Sequence, residues 1–282
     1  MALTFVPTPL GNLRDITLRS LDALRDAALI VAEDSRVARR LLSAYEIGGK
    51  EIWTYHEHNA QKATAAILER AKTERVAVVT DAGMPGISDP GSELVAAARA
   101  AGIAIEVLPG AAAFVCAAVL SGFALRRFTF EGFPPRGATE RRSAFERALA
   151  SDRTSVWYEA PHRIHATLTE LERLAPKRRL FLVRELSKAH EQQILGTAAE
   201  IRAALGEPVR GEITFVIEGA QQPMRTEDAI DLERTIDASL AAGESVSAIA
   251  KELAARGAGE RRRLYALVSA RKKASGSGGP PS

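Results

Sequence analysis

VAVVTDAGMPGISDPGSELVAAARAAG (76–102) carries the reading of the fold. It opens with a short β-branched apolar run, the signature of a strand buried on both faces. A loop at 81–91 follows, with three glycines, two prolines and two aspartates in eleven residues. Such a backbone bends sharply and lets a ligand approach closely. Apolar residues then recur at helical period over 91–101, and Asp89-Pro90 reads as an N-cap followed by proline at the first helical position. Strand, glycine-rich loop and helix together make one unit of an open parallel sheet, and such sheets bind ligands at the carboxyl ends of their strands.

The same unit repeats outward in both directions. Strands are expected at 3–6, 28–31, 52–55, 76–80, 104–108, 128–131, 155–158, 180–183 and 213–217, with helices at 37–44, 60–72, 91–101, 112–120, 139–150 and 164–174. The pattern predicts an α/β protein with a mostly parallel sheet covered by helices. The 282 residues suit two α/β domains, 1–122 and 123–220, followed by a helical basic extension, 221–273, and a disordered Ser/Gly/Pro tail, 274–282. Helices are expected there at 227–242, 246–256 and 260–271.

Composition narrows the classes. Charged residues make up 26% of the chain and the net charge is only +3, which excludes a disordered polyelectrolyte and leaves a nucleic-acid partner open. From Lys251 onward eight Lys/Arg face only Glu252 and Glu260, so the basic character sits at the C-terminus. Cys116 is the single cysteine, which excludes an internal disulfide and any cysteine-based zinc site. The apolar stretch 111–125 is too short to span a bilayer, and no secretion signal is visible, so a cytoplasmic protein is expected.

Polar or glycine-rich motifs stand at the ends of seven strands. No Gly-x-Gly-x-x-Gly follows the first strand and no P-loop occurs, so a ligand without phosphates fits better than a nucleotide. Pro109-Gly110-Ala111-Ala112-Ala113 opens an apolar helix of small side chains, suited to a flat adenine-like group or simply to tight packing. His56 with His58 and His162 with His165 lack further ligand spacing, and no metal site is expected.

LGNLRDIT (10–17), EDSR (33–36), YHEHN (55–59), DAGMPGISDPG (81–91), LPGAAA (108–113), YEAPHRI (158–164) and RELSKAHE (184–191) appear in this order. The set resembles the tetrapyrrole-methylase-like family, and within it the branch acting on ribosomal RNA. The resemblance implies two α/β domains of class III methyltransferase type with S-adenosyl-L-methionine in the cleft between them. It implies a homodimer and methylation of a cytidine ribose 2′-hydroxyl in the decoding region of 16S rRNA, in the 30S subunit or as free RNA. Carried over by position, the cofactor meets Leu10, Gly11, Asp81, Met84, Pro109, Gly110, Ala112 and Ala113. The second domain closes over it near Tyr158, Glu159 and Ala160 and near 212–214, including Thr214. The family usually has threonine where Ser35, Met84 and Ser187 stand. The two serines keep the hydroxyl and Met84 does not.

Methyl transfer from a sulfonium is an in-line displacement served mainly by alignment and exclusion of water. A base near the attacking hydroxyl assists, and Glu33, Asp34 and Glu185 are the candidates, with structural ion pairs to Arg36 and Arg184 as the alternative reading. Arg36, Arg184, His162 and Arg163, with Arg136, Arg141 and Arg142 on one helix, are candidate RNA contacts or a solvated face. Residues 245–273 read as a helix-turn-helix, with Arg261, Arg262 and Arg263 opening the second helix to hold RNA backbone or to cap a dimer. Two rival functions stand beside rRNA methylation: a methylase acting on a tetrapyrrole or other small molecule, and an RNA-binding or ribosome-assembly protein without turnover.

Overall fold

The computed structural model describes residues 2–56, 59–220, 226–256 and 258–276. Residues 1–220 form one compact unit and 221–282 a second.

The first sheet consists of β1 (Ala2–Phe5), β2 (Leu29–Ala32), β3 (Glu51–Thr54), β4 (Val76–Val79) and β5 (Ala104–Val107), in the order β3-β2-β4-β1-β5, all parallel. LIVA in β2 and VAVV in β4 are buried at every position, as central parallel strands require. Successive side chains go to opposite faces. Leu29, Val31, Val76 and Val78 join a core with Ile67 and Leu94, whereas Ile30, Ala32, Ala77 and Val79 join one with Leu24 and Leu42. The covering helices are α1 (Leu18–Asp26), α2 (Ser35–Ala44), α3 (Ala60–Thr73) and α4 (Ser92–Ala100).

α4 starts later than expected, with Gly91 rather than Asp89 as its N-cap. Gly91 sits at φ 145, and a Cβ there would meet Gly86 Cα and Phe5 Cε1, each at 3.2 Å, so the loop can fold onto β1 only with glycine. Asp89 is thereby left free of the helix.

α5 (Ala113–Ser121) ends at Gly122 in the left-handed region, a frequent helix stop. The sequence reading assigns this helix to the first domain. It packs instead on the second sheet, where Ala117 and Ala118 meet Val156, Phe181, Val183 and Val216.

The second sheet contains β6 (Phe128–Gly132), β7 (Thr154–Glu159), β8 (Leu180–Arg184), β9 (Gln192–Gly196) and β10 (Ile213–Ile217), in the order β6-β7-β10-β8-β9. Only β6 and β7 pair parallel, and β7–β10, β10–β8 and β8–β9 are antiparallel, so the mostly parallel expectation holds for the first sheet alone. β9 was not among the expected strands, because QQILG lies at the sheet edge and offers little apolar pattern. α6 (Ala138–Ala150), α7 (Ile164–Leu174) and α8 (Ala198–Leu205) accompany this sheet, α8 opening with a Thr197/Glu200 capping box.

The second unit comprises α9 (Thr226–Ala241), α10 (Val246–Ala255) and α11 (Arg261–Gly276). Ile236, Ile249, Ala250, Leu253, Leu264 and Val268 form its own core. Arg271 forks onto both oxygens of Asp237 at 2.9 Å and reaches Glu233 at 3.3 Å, tying α11 to α9. Of the expected disordered tail, 274–276 belong instead to α11, and 277–282 lie outside the described residues, as do Glu57 and His58 of YHEHN and Gly257. No helix among the described residues is long and apolar enough to cross a membrane.

Candidate functional site

The carboxyl edge of the first sheet assembles from loops far apart in the chain. Thr8, after β1, and Gly83, after β4, exchange backbone hydrogen bonds of 2.9 and 3.1 Å, and the Thr8 hydroxyl donates to Thr80 O at 3.2 Å. This bridge fixes Leu10 beside the 81–91 loop. Gly110, after β5, lies so close to Pro7 that a Cβ would fall on Pro7 Cγ and within 2.6 Å of Pro7 Cβ. Because β10 runs antiparallel to β7, the start of β10 meets the end of β7, and Ile213 pairs with Glu159.

These edges line one open concavity of about 680 Å³, open solvent at its mouth included. Leu10, Met84, Ala112, Ala113, Glu159 and Thr214 line it, as the resemblance implies. Gly11, Asp81 and Ala160 stand next to lining residues without lining the cavity themselves, and Pro109 and Gly110 precede Ala112 in the same turn and do not line it either. Tyr158 and Glu212 complete the second-sheet wall. Ile87, Ser88, Asp89 and Phe133 also line it and were not anticipated. The sequence carries a signal for Asp89, an acid inside the glycine-rich loop, but Pro90 after it gives it the pattern of a helix cap.

One wall is aromatic. Phe133 meets Tyr158 edge-on at 5.6 Å, and Phe130 stands between Tyr158 at 5.0 Å and Phe114 at 4.4 Å. Burial pushes the Tyr158 hydroxyl up to about 12, so it stays protonated at neutral pH.

The carboxylates around the site have distinct employments. Glu33 accepts from the buried Thr80 hydroxyl at 2.8 Å. Asp34 caps α2 and is gripped by Arg36, whose hydrogen bonds hold its carboxyl at about 2. Asp81 accepts the Asp34 backbone N–H at 3.2 Å, and burial followed by the Glu33 charge raises its carboxyl above the ordinary range. Glu185, at φ 55, accepts the Lys188 ammonium at 2.8 Å and the Glu212 N–H at 3.0 Å. Burial pushes its carboxyl up, but those two donors outweigh it and leave it below the usual range. The side chain of Glu159 is fully buried, and it accepts Ala160 N–H at 2.8 Å and the Thr167 hydroxyl at 2.6 Å, with Arg163 Nε at 3.3 Å.

The candidate RNA contacts divide similarly. Arg163 donates to Pro134 O at 2.9 Å and Pro135 O at 3.2 Å, which holds the Phe133 loop. Arg184 bonds Gln192 and Arg210 O, and Arg141 bonds Glu170 at 2.8 Å. Arg142 reaches the same Glu170 at 3.6 Å but stays exposed, as do Arg136, His162 and Arg36. Arg261, Arg262 and Arg263 are exposed at the start of α11 in the second unit.

The family model for tetrapyrrole (corrin/porphyrin) methylases matches residues 2–202. The chain belongs to this family. Among its curated relatives, ribosomal RNA small subunit methyltransferase I of Synechocystis sp. is 40% identical over 94% of this chain and 96% of its own length. The protein of the same name from Neisseria meningitidis serogroup B is 39% identical over 94% and 92%. Among solved structures, diphthine synthase matches with a TM-score of 0.61 at 17% identity, over 82% of this chain and 95% of its own. Uroporphyrin-III C-methyltransferase from Thermus thermophilus, complexed with S-adenyl homocysteine, matches with a TM-score of 0.56 at 20% identity, over 77% and 97%. These structures share the fold of this family member, including both sheets with their helices.

Proposed function

We propose that this protein uses S-adenosyl-L-methionine to methylate ribosomal RNA of the small subunit, at the ribose 2′-hydroxyl of a cytidine in the decoding region of 16S rRNA. The observation that carries the reading is the cavity itself. Leu10, Met84, Ala112, Ala113, Glu159 and Thr214, which the motif positions point to, meet around one space. Near-full-length identity to enzymes named for small-subunit rRNA methylation supports the substrate class.

The cofactor supplies an electrophilic methyl group on sulfur. Phe133 and Tyr158 offer an aromatic wall for a flat ring, and the small side chains of Ala112 and Ala113 leave it room. Thr214 on the cavity wall and Asp81 beside the lining Ala82 offer partners for hydroxyl and amino groups. The exposed Arg136, Arg142, His162 and Arg36, and Arg261, Arg262 and Arg263 on the second unit, are the basic side chains available for phosphates. Self-association as a homodimer is part of the reading, supported by the apolar surface of edge strand β5 and helix α5 at Val107, Val115 and Val119.

Labelled-methyl transfer to 30S subunits, naked 16S rRNA and a porphyrinoid precursor tests the proposal. Methyl incorporation into RNA, mapped by mass spectrometry to a 2′-O-methylcytidine, is expected. Transfer to the porphyrinoid alone would favour a small-molecule methylase. RNA binding with no incorporation would favour an assembly protein.

A further inference from the structure

The cavity lining contains four ionisable side chains: Asp89, Tyr158, Glu159 and Glu212. Three are already committed. Glu159 is sealed between Ala160 N–H, the Thr167 hydroxyl and Arg163. Glu212 pairs with the Lys188 ammonium at 3.0 Å. Tyr158 is a protonated phenol at neutral pH. Asp89 is the remaining one, half-buried and facing no cation in any ion pair of the described residues. Thr80 is its polar neighbour, and the single proton of the Thr80 hydroxyl is donated to Glu33 at 2.8 Å.

Local backbone geometry presents this carboxyl to the cavity. Ser88, immediately before it, holds φ 60, an uncommon conformation for a residue with a side chain. Gly86 at φ 85 and Gly91 at φ 145 bracket the turn, and Gly91 packs against Gly86 and Phe5. The loop is therefore fixed at both ends, with Asp89 lining the cavity rather than capping α4.

We propose that Asp89 is a catalytic residue, the group that accepts the proton from the RNA hydroxyl during methyl transfer. This rests on the reading given under Proposed function. As the ribose O2′–methyl bond forms and the methyl–sulfur bond breaks, the Asp89 carboxylate takes the hydroxyl proton. Ribose 2′-O-methyl, a neutral thioether and a protonated Asp89 result, and the proton then passes to water through the open mouth. Atoms and charge balance with no further reactant. Glu33, Asp34 and Glu185, the earlier candidates, do not line the cavity.

The electrostatics agree with the geometry. Burial, then the charges of Glu33, Asp81 and Glu212, push the Asp89 carboxyl up to about 6, against the lowering effect of Thr80. A base poised there is ionised at neutral pH yet strong enough to share a proton in the transition state.

The test is single-turnover methyl transfer to 30S subunits from cells lacking the protein, across pH 5–9, with cofactor binding followed by calorimetry. For the unaltered protein the rate is expected to rise as pH increases through about 6 and then level. Asp89→Asn is expected to bind S-adenosyl-L-methionine within about threefold of the parent, lose about 10²-fold in rate and lose the rising limb. Asp89→Glu is expected to recover part of the rate. An Asp89→Asn variant with the parent's rate and limb overturns the assignment, and so does one that loses cofactor affinity while its saturated rate is unchanged. A parental profile without a limb near pH 6 overturns it with no variant needed. No methyl transfer by the unaltered protein to any RNA overturns the underlying reading instead.

Discussion

The Ser187 hydroxyl donates to the Asp15 carboxylate at 2.6 Å, joining loops 172 residues apart, one from each sheet. Ser187 is at φ 67, and the neighbouring Lys188 packs so near Gly11 that a Cβ there would meet Lys188 Cγ. The Asp15 loop carries Leu10 into the cavity wall, so this bond closes the site from the side.

Ser187→Ala and Asp15→Ala are each expected to weaken cofactor binding about threefold, the worth of an exposed charge-assisted hydrogen bond of about 0.5–1 kcal/mol. Together they are expected to cost no more than either alone, because both remove one interaction. Calorimetric titration of the three variants measures this, and simple additivity would contradict it.

Glu159→Ala is expected to act on stability. It would leave Arg163, Thr167 and Ala160 N–H without a fully buried partner, at a cost of about 3–5 kcal/mol. The denaturation midpoint should fall sharply. Arg163→Met should show a comparable fall, because it strands the buried Glu159 carboxylate, and weakened cofactor binding as well, because the Phe133 loop loses its clamp on the Pro134 and Pro135 carbonyls.

Gly110→Ala is expected to displace the turn after β5, since its methyl would collide with the Pro7 ring. Overpacking of this kind costs about 1–3 kcal/mol, and the displaced Ala112–Ala113 segment should reduce cofactor affinity at least tenfold. Gly122→Ala is the control: its Cβ would meet nothing within 4 Å, and only the φ of 67 penalises it.

Asp89 makes a pH-dependent contribution to stability. The folded protein holds its proton more tightly than the unfolded chain, whose ordinary value is 3.8 against about 6 when folded. Folding therefore takes up protons in this window, and stability falls as pH rises from about 4 to above 6. Asp89→Asn should be more stable than the parent above pH 7, by about 1 kcal/mol after allowance for its partial exposure, and no more stable at pH 4. Melting curves at the two pH values decide, and a destabilised variant at pH 8 would contradict the expectation.

Replacing Arg261, Arg262 and Arg263 together with alanine should weaken RNA binding at all sequences alike. It should reduce the slope of log K against log salt by about 2 if these side chains meet phosphates. An unchanged slope would assign them to solvent.

The repeating strand–loop–helix order was legible because its cause is local: β2 and β4 are continuous apolar runs, and α2, α3 and α4 carry a helical stripe. Part of the cavity wall was legible through motif positions, since Leu10, Met84 and Ala112 lie in loops whose glycines and prolines mark sharp turns. β9 was not, because an edge strand needs few apolar residues. Strand direction in the second sheet was not either, because apolar patterning records burial and is silent about whether neighbours run parallel.

By itself, then, the sequence determined which segments become strands and helices, which loops stand at the strand ends, and the family to which they correspond. Only the tertiary structure decided which carboxylate is engaged and which is left facing the cavity. Glu159, Glu185 and Glu212 meet their partners 1 to 27 residues away, while Asp89 lines the cavity in a loop whose Gly91 packs on Phe5. A side chain's chemistry depends on the charges and solvent around it, and those are set by packing between segments that the linear order keeps apart.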